Sequence, residues 1–398
     1  MRHIVILGGG FAGVAAGKAL VDADLEDTKI TLINNTSHHL FTPSLYEVAM
    51  SEAPKQNIVI PFREIFGRSV HIIVDEVEKI DASSAQIKLK KEEPVVYDYL
   101  IIALGSESAY MGIEGLKEHS MALKTLDDAI AIKQKIKNIC CTEGECNRKA
   151  HIVIGGGGFS GTELAAEMLM YKNRLARQNK LDRECLEVSI LQGSNRLLNE
   201  LDAHVSEIAT RRIEGRTVKF CFGGHIKEVT DSQVVTDNDN AYFYNILIWT
   251  GGVQPNHIPK DSELPVSEHG HLLVNEFLQV QNHPNIFASG DIAGFVDKKT
   301  GKPAAGVAQV AEDEGKIAGE NVARLIQGRG LKEYHYRHWG YIVPLKGKFA
   351  AAELSGFHLD GFAAWVLQQL VFFQYLWKIL PPLKAMIKWN RFEVDLHQ

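Results

Sequence analysis

The sequence predicts an α/β fold: two Rossmann-like parallel-sheet units, the second inserted in the first, then a helical C-terminal segment. Three observations carry this prediction. A phrase of apolar strand, glycine turn and helix formers occurs twice, at residues 3–13 (His3-Ile4-Val5-Ile6-Leu7-Gly8-Gly9-Gly10-Phe11-Ala12-Gly13) and at residues 151–161. A buried strand ending in glycine also recurs, at residues 99–105 and 245–252, and a third such strand, at residues 284–291, ends in an acid. Finally, a chain of 398 residues with 45% apolar and 23% charged residues has the length and composition for more than one sizeable core.

Both copies of the phrase read G-x-G-x-x-G: Gly8, Gly10 and Gly13, then Gly156, Gly158 and Gly161. The first glycine permits a tight turn out of the strand. The second lets backbone approach phosphate, and the third lets the helix pack on the strand. Phosphate charge then meets the unpaired N–H groups and positive dipole end of the helix. Two such dinucleotide cradles in one chain suggest one nucleotide held permanently and one that comes and goes, the arrangement of a flavin reductase.

Other features set bounds. A net charge of −6 argues against a nucleic-acid protein. The cysteines (Cys140, Cys141, Cys146, Cys185 and Cys221) are odd in number and form no C-x-x-C pair, which suits a reduced, intracellular compartment and predicts no metal site. The first strand begins at Arg2, leaving no room for a signal peptide, and no run of twenty uninterrupted apolar residues predicts a spanning helix.

In chain order, residues 29–34 read as the second parallel strand of the first unit. An acid at its end would grip the adenosine ribose; here the position is Asn34, which accepts a hydrogen bond without charge or simply begins a polar turn. The loop at residues 38–46 sets Thr42 and Pro43 either against a flat ring or in plain packing. Residues 70–80 and 87–89 read as strands of a small antiparallel layer. A helix with a capped start at Thr125 precedes a polar connection, and the second unit begins at Ala150. Its second strand ends in Gln192 with Arg196 just beyond; an amide accepts without repelling a 2′-phosphate, so NADPH and NADH are both open. Short strands follow at residues 218–222, 226–229 and 233–236. Asp291 can accept from a sugar-chain hydroxyl or cap the next segment. Residues 303–315 lead into a long helix ending near Ile326.

The end of the chain departs in character. Residues 361–380 form a helix crowded with aromatics, stopped by Pro381-Pro382. Residues 383–392 then place Lys384, Lys388 and Arg391 on one face opposite Met386 and Trp389. This suits a protein lying on a membrane surface, or a helical hairpin packed on the body or across a dimer.

With these features together, the chain resembles the two-dinucleotide-binding-domain flavoproteins, and among them most closely the type II NADH:quinone oxidoreductases. The resemblance implies FAD held by a discontinuous domain (1–120 and 270–335), NADH or NADPH as substrate of an inserted domain (121–269), and a membrane-associating or dimerising segment (336–398). It further implies a membrane quinone, ubiquinone or menaquinone, as partner, a likeness to homodimers, and a peripheral site on the cytoplasmic face of the membrane. Carried over by position, Gly8, Gly10, Phe11, Ala12, Gly13, Asn34, Thr42, Pro43, Val77, Ala103, Gly105, Asp291, Ala308 and Gln309 would contact FAD. Gly156, Gly158, Phe159, Gly161, Gln192, Arg196 and Gly251 would contact the nicotinamide nucleotide. Glu163 matches an acid near nicotinamide and flavin, and Gln309 with Asp313 matches the quinone motif. That motif usually carries glutamine where this chain has Asp313, and prolines where it has residues 305–307. A sulfide:quinone oxidoreductase or disulfide reductase would need paired cysteines that this chain lacks at the required places. A soluble reductase of an iron-sulfur partner and a nucleotide-sensing flavoprotein are the remaining readings.

Overall fold

A computed structural model of the chain describes residues 1–50, 55–140, 150–179, 186–214 and 218–396. The first sheet is five-stranded and parallel, in the order 286–288, 99–102, 2–7, 28–34, 71–74. The second has the same plan, 121–122, 246–249, 150–155, 186–192, 218–222. Their central strands are near-continuous Ile, Val and Leu because both sheet faces are covered, as parallel sheets require.

The duplication extends to single hydrogen bonds. Gly8 N–H donates to Ile33 C=O and Gly156 N–H to Leu191 C=O, each at 2.9 Å. The start of each first strand is stapled alike, His3 N–H to Asp98 and His151 N–H to Asn245. Each unit also carries a three-stranded antiparallel layer, residues 77–96 in the first and 226–243 in the second. In both layers the register slips at the first strand, between Val77 and Lys79 and between Ile226 and Glu228. One expectation is corrected: His71–Val74 is the edge strand of the parallel sheet, and only the residues from Val77 onward enter the antiparallel layer. Its alternation misled because an edge strand is covered less completely than a central one.

The chain passes between the units twice, and the crossings are zipped together as the antiparallel pair Ser106–Ser108 and Val253–Pro255. Packing on either side sharpens the expected boundaries. Ile113 and Leu116 pack with the second sheet, whereas Ile258, Leu264 and Leu272 pack with the first. Ser262 even accepts a hydrogen bond from Ile80 N–H at 2.9 Å. A boundary at residue 269 therefore falls inside material belonging to the first core. The capped helix start at Thr125 is present as a reciprocal pair, Thr125 N–H to Asp128 and Asp128 N–H to Thr125 Oγ1.

The long helix Ala308–Ile326 returns to the first unit and lies against the helix Phe11–Asp22. Gly315 and Gly319 let the two backbones touch; a Cβ at Gly315 would sit 2.0 Å from Ala12 C=O. The C-terminal segment is an antiparallel sheet, residues 341–360, followed by helices Gly361–Ile379 and Pro382–Leu396. Arg212 of the second unit lies 4.4 Å from the Phe349 ring centroid and donates to Leu345 C=O, which ties the segment to that unit.

The charged face of the last helix points differently from expectation. Lys388 donates to the carbonyls of Gln56 and Val59 and so turns toward the protein, while the exposed Lys384 lies 3.9 Å from Glu64 at the surface. The outward face is apolar instead: Leu383, Met386 and Ile387 are exposed, together with Phe362, Leu370, Val371 and Trp377 of the preceding helix. The side chain of Arg391 lies outside the described residues. Helical spacing does not say which residues meet the body: Met386 is exposed, whereas Trp389, expected on the same face, packs against Phe373. No helix among the described residues is long and apolar enough to cross a membrane. Cys141, Cys146 and Cys185 lie outside the described residues, and Cys221 is a free thiol.

Candidate active site at the two glycine loops

Each loop is built by its sequence to receive a nucleotide. Gly8 (φ +97°) and Gly156 (φ +110°) take a left-handed turn closed to side chains. Cβ atoms at Gly13 and Gly161 would collide with the carbonyls of Gly8 and Gly156. By contrast, a Cβ at Gly10, Gly105 or Gly158 would meet nothing within 4 Å. The close-packing glycines are thus needed by the protein, and those at Gly10 and Gly158 face open space of the kind a pyrophosphate fills. The first intrahelical hydrogen bond in each helix is made by Val14 and by Thr162, which leaves the amides of residues 10–13 and 158–161 for a ligand. The residues present therefore fit two dinucleotides.

The amide side chains at the ends of the two second strands, Asn34 and Gln192, act as loop staples. Asn34 Oδ1 accepts from Gly9 N–H and Gln192 Oε1 from Gly157 N–H, each at 2.8 Å. Their amide nitrogens donate locally, Asn34 to Thr36 and Gln192 to Ser194 and Asn199. Arg196 donates through Nη2 to the carbonyls of Asn199 and Leu201 and so clamps the loop that follows the strand. Thr42 and Pro43 form a short 3-10 turn ahead of helix Leu45–Met50, while Ala103 and Gly105 end the strand beside the first loop. Val77 starts the antiparallel layer, and Phe159 and Gly251 flank the second loop.

Asp291 is held by a chain of side chains rather than by a helix cap. Ser106 donates to its Oδ2 at 2.5 Å, and the Lys124 ammonium donates to Ser106 Oγ at 2.7 Å. Burial lowers the Lys124 pKa, and the nearby Asp291 charge opposes that shift. Because Lys124 follows the edge strand Met121–Ala122 of the second sheet, this chain ties the two units at the site. Sequence reading missed the roles of both: Lys124 lies outside any glycine motif, and Ser106, although it directly follows Gly105, carries no signal of its distant partner Asp291.

Glu163 lies in the first turns of helix Phe159–Asn179, which packs against Leu45–Met50 of the first unit. Burial first, and the charge of Glu47 second, raise its pKa well above the usual carboxylate range. Glu47 is itself buried and accepts from Tyr46 O–H at 3.0 Å. Two carboxyls therefore approach across the seam of the units, an arrangement that favours retention of a proton. An acid inside the otherwise apolar helix Leu45–Met50 was the available signal for Glu47.

Ala308 and Gln309 begin the return helix, and Asp313 is half-buried one turn on, with its pKa raised by burial against the opposing charges of Lys378, Lys316 and Arg337. Lys378 of the tail helix pairs with Glu312 at 2.7 Å. Next to Asp313, the buried Glu314 accepts from Gly290 N–H at 2.7 Å, and burial raises its pKa to about 8. A carboxyl with a raised folded-state pKa contributes stability in full below its unfolded pKa and loses it as pH rises toward the folded value. The loss here spans the range from about 4.5 to about 8. Glu314→Gln keeps the acceptor oxygen and should match the parent below about pH 4 but exceed it at pH 9 by a few kcal/mol, on the order given by ~1.4 kcal/mol per pKa unit. Thermal unfolding at the two pH values checks this; identical pH profiles would contradict it.

Two duplicated cradles joined by a seam of buried titratable groups define an FAD-containing oxidoreductase that uses a nicotinamide nucleotide. The chain belongs to the pyridine nucleotide-disulphide oxidoreductase family, which it matches over residues 2–315. The type II NADH:quinone oxidoreductase of Staphylococcus epidermidis is 23% identical over 389 residues, covering 95% of this chain and 96% of that one. The protein of the same name from Staphylococcus aureus is 23% identical over 392 residues, with the same coverage. In fold the chain is similar to NDH2 from Plasmodium falciparum in complex with NADH, with a TM-score of 0.87 at 19% identity over 100% of this chain and 97% of that chain. It is also similar to the sulfide:quinone oxidoreductase of Aquifex aeolicus, with a TM-score of 0.77 at 20% identity over 95% and 91%. The resemblance read from the sequence is thus borne out.

Proposed function

We propose that the protein oxidises NADH, with NADPH the alternative donor that the uncharged Gln192 leaves open, and reduces a membrane quinone without pumping protons. FAD, when bound, supplies the hydride acceptor and two-electron donor that this requires. In this reading Gly8, Gly10, Phe11, Ala12, Gly13 and Asn34 hold FAD, with Thr42, Pro43, Val77, Ala103, Gly105, Asp291, Ala308 and Gln309 around it. Gly156, Gly158, Phe159, Gly161, Gln192, Arg196 and Gly251 hold the nicotinamide nucleotide. The Glu163 carboxyl keeps a proton at the seam, while Gln309 and Asp313 orient the quinone head group or pass protons to it. Quinone reduction consumes two protons per turnover; one accompanies the hydride and solvent supplies the other.

One observation supports this reading above its rivals. The tail helix is pinned beside the first glycine loop and beside Glu312, yet turns Leu370, Val371 and Trp377 outward, continuous in kind with Leu383, Met386 and Ile387. A water-soluble reductase of an iron-sulfur protein has no use for such a face, whereas a peripheral protein on the cytoplasmic side of a membrane, where NADH is found, does. The fold is shared with a sulfide:quinone oxidoreductase, but no cysteine follows Cys221 in this sequence. A homodimer completes the proposal.

Anaerobic addition of NADH should bleach the flavin absorbance of the purified protein, and a quinone analogue in anionic vesicles should restore it, with the protein sedimenting on those vesicles. Absence of bleaching would sink the dehydrogenase reading. Bleaching reversed by an iron-sulfur protein but not by quinone would favour the soluble reductase.

A further inference from the structure

The tail helix reaches the first glycine loop through a buried relay. Tyr375 O is 2.7 Å from His39 Nε2, and His39 Nδ1 is 3.0 Å from the carbonyl oxygen of Gly9. The directions are fixed by chemistry. A carbonyl only accepts, so Nδ1 carries the proton. The ring is fully buried and its pKa is lowered to about 4, chiefly by burial, so it is neutral and Nε2 is the acceptor. The Tyr375 hydroxyl is therefore the donor at the outer end.

The relay is enclosed by rings. Phe11, the first residue of the helix that follows the loop, packs edge-on to His39 at 5.0 Å and tilted on Tyr375 at 5.0 Å. Phe41 packs on Phe372 at 4.5 Å. On its other side Gly9 is fenced by Phe62, whose ring a Cβ at Gly9 would meet at 2.1 Å. Gly9 is thus gripped at three points: its amide by Asn34, its carbonyl by His39 and its Cα by Phe62. The Gly9 carbonyl shares its peptide plane with the Gly10 N–H, so holding it fixes the direction of the loop amide at the phosphate end of the turn.

We propose that His39 and Tyr375 are positioning residues for FAD, and that the C-terminal helix is thereby a working part of the cofactor site as well as a surface for lipid. The inference builds on the assignment of FAD to the first loop. The tail touches nothing of the second loop by this route, so the effect is confined to one nucleotide.

The test is FAD affinity of the full chain, measured by flavin fluorescence on titrating apoprotein, with the unfolding midpoint of the apoprotein measured in parallel. Tyr375→Phe keeps the ring and removes only the donor. It should weaken FAD binding about five-fold, the scale of one buried hydrogen bond, while the apoprotein midpoint stays at the parent value. His39→Leu removes both bonds and should weaken it further, with NADH affinity unchanged. Equal FAD affinity in Tyr375→Phe and the parent overturns the inference and leaves the FAD assignment standing. Equal destabilisation of apo and FAD-bound forms, with unchanged affinity, overturns it too, by making the contact merely structural. A parent chain that binds no FAD would instead defeat the assignment beneath it.

Discussion

Gly315→Ala is expected to lose about 3 kcal/mol or more of stability, the upper range for forcing atoms into a packed core, and to be purified with much less FAD. The added methyl would lie 2.0 Å from Ala12 C=O and 2.7 Å from Ala12 Cα, which are backbone atoms with no rotamer to yield. The helices Phe11–Asp22 and Ala308–Ile326 must part. Since the first of them begins at the end of the glycine loop and the second presents Glu314 to Gly290, parting them moves the loop and the Asp291 strand end away from each other. Gly330→Ala is the control, because a Cβ there meets nothing within 4 Å. Thermal unfolding and the flavin-to-protein ratio read the outcome; a Gly315→Ala protein with the parent midpoint would show that this contact is not tight.

How much was legible beforehand follows from what each feature depends on. The doubled loop was legible because glycine is demanded at fixed spacing by backbone geometry, and Gly8, Gly13, Gly156 and Gly161 each meet that demand. The strand-glycine echoes at residues 99–105 and 245–252 were legible for the same reason, and the structure extends the repeat to the antiparallel layers and their register slips. Contacts between distant residues were not legible. Lys124 and Asp291 meet through Ser106, and His39 and Tyr375 lie 336 positions apart, so no local pattern announces either pair. The edge strand His71–Val74 was misplaced because half-covered parallel and antiparallel strands alternate alike. In the last helix, period alone does not say which residues meet the body; only the packing shows that Lys388 caps carbonyls of the body and that Met386 faces out while Trp389 packs against Phe373.

The central claim is that two similar cradles have separate work, FAD in the first and the nicotinamide nucleotide in the second. Gly10→Val and Gly158→Val test it in one comparison, because neither position has a protein atom within 4 Å of an added Cβ and both side chains would enter ligand space alone. The measurement is anaerobic NADH titration of the flavin absorbance in the two variants and the parent. Gly10→Val should be purified folded and nearly free of flavin, yet still bind NADH, read for this variant from the fluorescence of the added nicotinamide nucleotide. Gly158→Val should keep a full complement of FAD and require NADH concentrations higher by a factor on the order of a hundred, a displacement of roughly 3 kcal/mol, before it bleaches. Flavin lost from Gly158→Val and kept in Gly10→Val would reverse the assignment, and flavin bleached in both as in the parent would contradict the account altogether.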